Sequence, residues 1–131
     1  MNAKDYNDWY QTRRGKWAAQ REFALLLEAI RPRAGESVLD VGCGTGAFTR
    51  LLASAIGGPI TGVDINSERL AFARAQNTPG VSYATADARS LPFADRSFDL
   101  VVSIAALSFI DDERAALGEM IRVAERKVAI G

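Results

Sequence analysis

The sequence predicts an α/β fold, a parallel sheet covered by helices on both faces, and three observations predict it. Short β-rich runs at 37–41, 60–64, 81–86 and 98–104 alternate with stretches whose apolar residues recur at helical spacing. A glycine cluster, Gly42-Cys43-Gly44-Thr45-Gly46, falls where the first of these runs meets the helix after it. The chain of 131 residues holds one core, because a second would leave each half near the limit of stability. Strands alternating with helices over this length imply right-handed crossovers.

The elements follow in order. Residues 1–12 carry Tyr6, Trp9 and Tyr10 among polar side chains, and 13–16 form a basic stretch broken by Gly15; this segment reads as a lid or arm. Over 16–30, Phe23, Leu26, Leu27 and Ile30 share one helix face, and Pro32 should stop that helix. The first strand, 37–41, begins after the turn residues Ala34-Gly35-Glu36. Beyond the glycine loop, Phe48, Leu51, Leu52, Ala55 and Ile56 resume helical spacing until Gly57-Gly58-Pro59. A second strand at 60–64 precedes a helix to about Gln76 that Asn66 or Ser67 can cap, then a turn at Thr78-Pro79-Gly80 and a third strand at 81–86. Pro92 argues against a regular helix in 89–97, and 98–104, apolar apart from Asp99 and Ser103, reads as a central strand. Asp111 or Asp112 can cap a last helix with Leu117, Met120, Ile121 and Ala124 on one face, before a short fifth strand at 127–130.

Composition narrows the chemistry. Sixteen Lys plus Arg balance sixteen Asp plus Glu, so nucleic acid is not expected as a partner. The absence of histidine excludes Ser-His-Asp and Cys-His nucleophile systems and histidine-ligated zinc. The single cysteine, Cys43, makes no internal disulfide and fits a reducing interior. No signal peptide is evident, and no apolar run approaches the roughly 18 to 20 residues that span a bilayer. The expected location is cytoplasmic, away from membranes.

In the glycine loop, absent β-carbons let the backbone turn tightly and approach a nucleotide-like cofactor at a helix N-terminus. Gly42, Gly44 and Ala47 also satisfy the dinucleotide pattern, so NAD stays open. Asp40, just before the glycines, would repel a pyrophosphate but attract the ammonium of an amino-acid moiety, which favours S-adenosylmethionine. Asp64, at the end of the second strand, suits the two hydroxyls of a ribose under either reading. Ile65 beside it would wall an adenine. After the third strand, Asp87 can accept from an adenine amino group and the Ala88 N–H can donate to a ring nitrogen. All these positions lie at strand C-termini, where open α/β sheets bind ligands.

The run Val38-Leu39-Asp40-Val41-Gly42-Cys43-Gly44-Thr45-Gly46 is followed by Val63-Asp64-Ile65, Ala86-Asp87-Ala88 with Leu91-Pro92-Phe93, and Ser97-Phe98-Asp99-Leu100-Val101-Val102-Ser103. In this order and spacing it resembles the class I S-adenosylmethionine-dependent methyltransferases, in particular the small-molecule branch that includes the ubiquinone and menaquinone biosynthesis enzymes. The resemblance covers roughly 36–123. It implies a Rossmann-like sheet of order 3-2-1-4-5 and methyl transfer to a small molecule. It also implies that Asp40, Gly42, Cys43, Gly44 and Gly46 hold the methionine end, Asp64 the ribose, with Ile65 beside it, Asp87 and Ala88 the adenine, and the backbone around Ser103 the amino group. The segment 7–10 resembles the lid that such enzymes fold over the cofactor.

Two departures stand out. Relatives carry a proline and paired glycines after the last helix, then a fifth strand and an antiparallel hairpin. Here 122–127 lacks those residues and the hairpin is absent. The expectation is therefore one domain over 1–131, with 1–35 as arm and first helix, and either a shortened chain or a homodimer covering the open edge of the fifth strand. A shortened chain leaves a non-catalytic cofactor-binding or interaction module as the alternative, and an NAD-dependent half-domain as a further one. No catalytic base is selected; Tyr6 and Tyr10 are the candidates to test. Arg13, Arg14 and Lys16 could meet an acidic acceptor, and the loop at 105–110 should help choose it.

Overall fold

The computed structural model describes residues 5, 8, 11–104, 106, 107 and 110–131. Its elements are α1 (Arg13–Ile30), β1 (Val38–Val41), α2 (Ala47–Ile56), β2 (Ile60–Asp64), α3 (Ser67–Ala75), β3 (Val81–Thr85), β4 (Phe98–Ser103), α4 (Glu113–Val123) and β5 (Ala124–Ile130). The strands form one sheet in the order β3-β2-β1-β4-β5, every neighbouring pair parallel. This is the expected α/β arrangement of order 3-2-1-4-5.

Strand alternation sends β1 side chains to two different cores. Val38 joins Leu100 and Val102 beneath Leu26 and Ile30 of α1 and Leu52 and Ile56 of α2. Leu39 and Val41 join Val63 and Val101 against Met120 and Val123 of α4 and Leu91 of the preceding loop. Asp40 therefore belongs to the face that α2 covers. That parity is what brings a carboxylate under the glycine loop.

Several boundaries moved, each for a local reason. The basic stretch 13–16 is the first turn of α1, because the Thr12 side chain accepts from the Gly15 N–H and caps it. Arg31, left-handed at φ 45°, ends the helix before Pro32 by donating its N–H to the Leu27 carbonyl. Asp112 rather than Asp111 caps α4, accepting from the Ala115 N–H. The buried face of α4 is Ala116, Met120 and Val123, and Ile121 is exposed.

The largest difference lies at the last strand. Helix α4 passes into β5 with no intervening loop, since Ala124 is already extended. Phe98 pairs with Ala124 but Leu100 with Lys127, so β5 carries an extra residue in a bulge. Arg126 leaves from this bulge and grips Glu36 through two bonds, Nε to Oε2 at 2.7 Å and Nη2 to Oε1 at 2.6 Å. The guanidinium holds the Glu36 carboxyl below the usual carboxylate range. Lys127 reaches the Ala29 carbonyl at 3.3 Å. Side chains thus fasten β5 to the turn between α1 and β1. No helix among the described residues is long and apolar enough to cross a membrane.

Candidate active site

The glycine loop is folded back over β2 by its own amides. Gly42 and Cys43 both donate to the Val63 carbonyl, at 2.8 and 3.0 Å, and Gly46 donates to the Cys43 carbonyl at 3.0 Å. Gly42 has φ +73°, and a β-carbon there would lie 2.3 Å from the Ala106 Cβ, so the bare backbone is a steric requirement.

Asp40 is 2% exposed, and its Oδ2 accepts from Thr49 Oγ1 of α2 at 2.7 Å. Burial pushes its carboxyl up to about 7, the Asp64 charge adds to this, and the Thr49 hydrogen bond opposes it. Asp64 accepts two amides, Gly44 N–H on Oδ2 at 2.9 Å and Asn66 N–H on Oδ1 at 2.8 Å. It braces the glycine loop and keeps further lone pairs on both oxygens. Asp87 is held by Arg89 through a bidentate pair and a backbone bond, which bring its carboxyl down to about 2.

These three strand ends open on one cavity of about 620 Å³. Eight of the ten residues expected from the sequence line it: Asp40, Gly42, Cys43, Gly44, Asp64, Ile65, Asp87 and Ala88. Ile65, 69% exposed, offers an apolar surface at its wall. The Ala88 N–H has no acceptor among the described residues. Burial and the charges of Asp40 and Asp64 push the Cys43 thiol upward, so it is neutral near pH 7.

Gly46 and Ser103 do not line the cavity. A β-carbon on Gly46 would lie 2.4 Å from the Tyr83 hydroxyl and 3.2 Å from the Ala73 Cβ, so this glycine lets α2 pack against β3 and α3. Ser103 is fully buried; its hydroxyl donates to the Val41 carbonyl at 2.9 Å, and its own carbonyl accepts from Gly131 at 2.9 Å. It ties β4 to β1 and β5, and Ile104 lines the cavity instead.

Asn66, Arg69, Arg89 and Asp111 also line the cavity without being singled out as binding residues by the sequence, and Ala106 and Ile110 line it as well. Ala106 and Ile110 belong to the loop expected to choose the acceptor, and Asn66 caps α3 as its place in the sequence suggests. The signal for Arg89 is its place two residues beyond Asp87. Tyr6, Tyr10 and the rest of the segment 7–10 other than Asp8 lie outside the described residues. Arg13, Arg14 and Lys16 are exposed on the first turn of α1.

Residues 39–129 match the family described as methyltransferase domain. The O-methyltransferase resE of Aspergillus sclerotiorum is 41% identical over 111 residues, covering 81% of this chain and 42% of the relative. The 2-methyl-6-phytyl-1,4-hydroquinone methyltransferase of a Synechocystis strain is 38% identical over 99 residues, covering 74% of this chain and 30% of the relative. In fold, the chain is similar to a SAM-dependent methyltransferase from Aquifex aeolicus, with TM-score 0.74 and 22% identity over 82% of this chain and 62% of that one. The chain spans less than half the length of those two curated relatives. A matched segment that includes most of β1, the glycine loop and all three strand-end aspartates decides between the two cofactors that the glycine pattern left open: the chain belongs to the methyltransferase-domain family, the S-adenosylmethionine-dependent methyltransferases of class I.

Proposed function

We propose that this chain, a single domain over 1–131 with 1–35 as arm and first helix, binds S-adenosylmethionine in the cavity at its carboxyl rim and serves methyl transfer to a small-molecule acceptor. One observation carries the reading: aspartates at the ends of β1, β2 and β3 line one cavity of about 620 Å³, each in a different state of protonation or pairing. That volume falls within the usual range for small-molecule sites, roughly 300 to 1,000 Å³. The donor set also suits a cationic ligand, because four of the lining residues are aspartates, Asp111 being the fourth, against two arginines, Arg69 and Arg89, the second of which is paired with Asp87.

Bound there, S-adenosylmethionine would supply an electrophilic methyl group on a sulfonium. Asp40 attracts the ammonium of its amino-acid end, while Gly42, Cys43 and Gly44 present backbone with no side chain in the way at the two glycines. The lone pairs that Gly44 and Asn66 leave on Asp64 accept ribose hydroxyls. Ile65 walls the adenine, the Asp87 carboxylate accepts from its amino group and the Ala88 N–H donates to a ring nitrogen. Gly46 and Ser103 act one layer below, holding α2 and β4 where the cavity needs them. Positioning and exclusion of water account for the acceleration, on the order of 7 to 11 kcal/mol where geometry is favourable.

The relative named as an O-methyltransferase supports an acceptor hydroxyl. A cytoplasmic location, no nucleic-acid partner and a homodimer meeting at the outer edge of β5 complete the reading. Titration calorimetry should give saturable binding of S-adenosylmethionine and of its demethylated product, and none of NADH. Heat from neither adenosyl compound would sink the proposal. Binding without label transfer from the methyl donor to any hydroxylated acceptor in a broad panel would favour the non-catalytic module.

A further inference from the structure

Arg89 has no role in the reading above, yet it governs what Asp87 can still accept. Oδ1 takes the Arg89 backbone N–H at 2.9 Å and Nε at 3.0 Å, and Oδ2 takes Nη2 at 2.8 Å. An ionised carboxylate offers about four acceptor positions, so roughly one remains, on Oδ2. The carboxylates of Asp111 and Asp112 act on the same guanidinium from the start of α4. Asp111, Arg89 and Asp87 share the cavity wall.

We propose that Arg89 is a positioning residue for adenine recognition: by occupying every other acceptor position on Asp87, it leaves one that takes a single N–H of the exocyclic amino group and repels a base carrying oxygen there. This rests on the assignment of Asp87 to the adenine. A guanidinium fork is needed, because an ammonium cannot hold both oxygens in one plane.

The test compares the calorimetric affinities of S-adenosylhomocysteine and S-inosylhomocysteine, in which an oxo group replaces the amino group. The unaltered chain should prefer the adenosyl compound by about 100-fold, as sites built around a ligand's polar group do. Arg89→Leu should cut that preference by about tenfold, the scale of one charge-assisted hydrogen bond, and leave inosyl binding within about threefold. Arg89→Lys should cut it nearly as far. In an Asp87→Asn background, Arg89→Leu should change the preference no further.

A large preference that survives Arg89→Leu would overturn the role of Arg89 while leaving the Asp87 assignment standing. No preference in the unaltered chain would overturn both. Equal weakening of the two compounds, a lysine variant that behaves as the original, or an additive double variant would each assign Arg89 to general charge or loop stability and overturn the proposal. The Arg89 side chain is 43% exposed, so the thermal midpoint of each variant should stay at its original value and allow the comparison.

Discussion

Asp40, one residue before the end of β1, and Asp87, two residues beyond the end of β3, stand in the same cavity wall, and the two carboxylates are held by opposite means. Asp40 is buried with one hydroxyl partner and no cation among the described residues, so its carboxyl rises to about 7. Asp87 is 36% exposed in the grip of a guanidinium, and its carboxyl falls to about 2. The fold sets where the two groups stand, whereas their neighbours set the charge each carries. At the β1 end a proton is exchangeable near neutral pH, while at the β3 end the charge is permanent. One rim therefore combines a group whose charge can change near neutral pH with a group whose geometry is fixed in advance.

Asp40→Asn should break this comparison most visibly. Its native value of about 7 lies above the ordinary carboxyl value of 3.8, so the stability it contributes is fully present below that lower value and lost as pH rises to about 7. The span corresponds to about 4 kcal/mol. Denaturant titrations between about pH 4 and pH 8 should show the original chain losing stability and Asp40→Asn losing far less, so that the variant is the more stable at the upper end. The affinity of the original chain for a cationic ligand should rise over the same window, and that of the variant should stay weak and flat. A variant that keeps the original pH profile would assign the titration to another group.

Two glycine substitutions separate steric from conformational demands within the β1 loop. Gly42→Ala adds a contact at 2.3 Å to a left-handed residue and should cost about 3 kcal/mol, with loss of ligand binding. Gly44→Ala, at φ +57° with nothing within 4 Å of the added carbon, should cost only about 1 kcal/mol. Equal costs in denaturant unfolding would mean that the approach of Ala106 to the loop does not restrict it.

Strand order and the three strand-end aspartates could be read from the chain because they follow from short-range pattern. Alternation sets the strands, glycine sets the loop, and a parallel sheet puts its carboxyl ends on one rim. What escaped reading depends on partners distant in sequence. Nothing near Gly46 announces that Tyr83 will lie against it, and nothing near Glu36 announces Arg126, 90 residues away. The fifth strand starts at Ala124, earlier than the sequence suggests, because 122–127 lacks the usual loop signals; the chain solves that junction with a bulge and the Arg126 pair. Next to Ser103, whose surrounding backbone the resemblance assigns to the amino group, Ile104 reaches the cavity, and the Ser103 hydroxyl goes to the Val41 carbonyl, a contact that only the β1–β4 pairing creates.

The loop that follows Asp87 offers the finest test, because one arginine of α4 makes most of the side-chain bonds that hold it. Arg122 donates to the carbonyls of Leu91 and Phe93 at 3.0 and 2.8 Å, to Asp95 at 2.9 Å and to Glu119, which itself accepts from the Leu91 N–H. Replacing it by leucine leaves two carbonyls short of a partner and should cost about 2 kcal/mol, with faster exchange of the Leu91 amide. Asp95→Ala removes one partner whose side chain is 76% exposed, an ion pair that solvent screens, and should cost less than about 0.5 kcal/mol. If the two losses were equal, the loop would be held by surface charge, and the β3 end would owe its order to electrostatics throughout. The expected fourfold disparity instead makes the arginine–carbonyl bonds the anchor, with the ion pair at Asp95 contributing little.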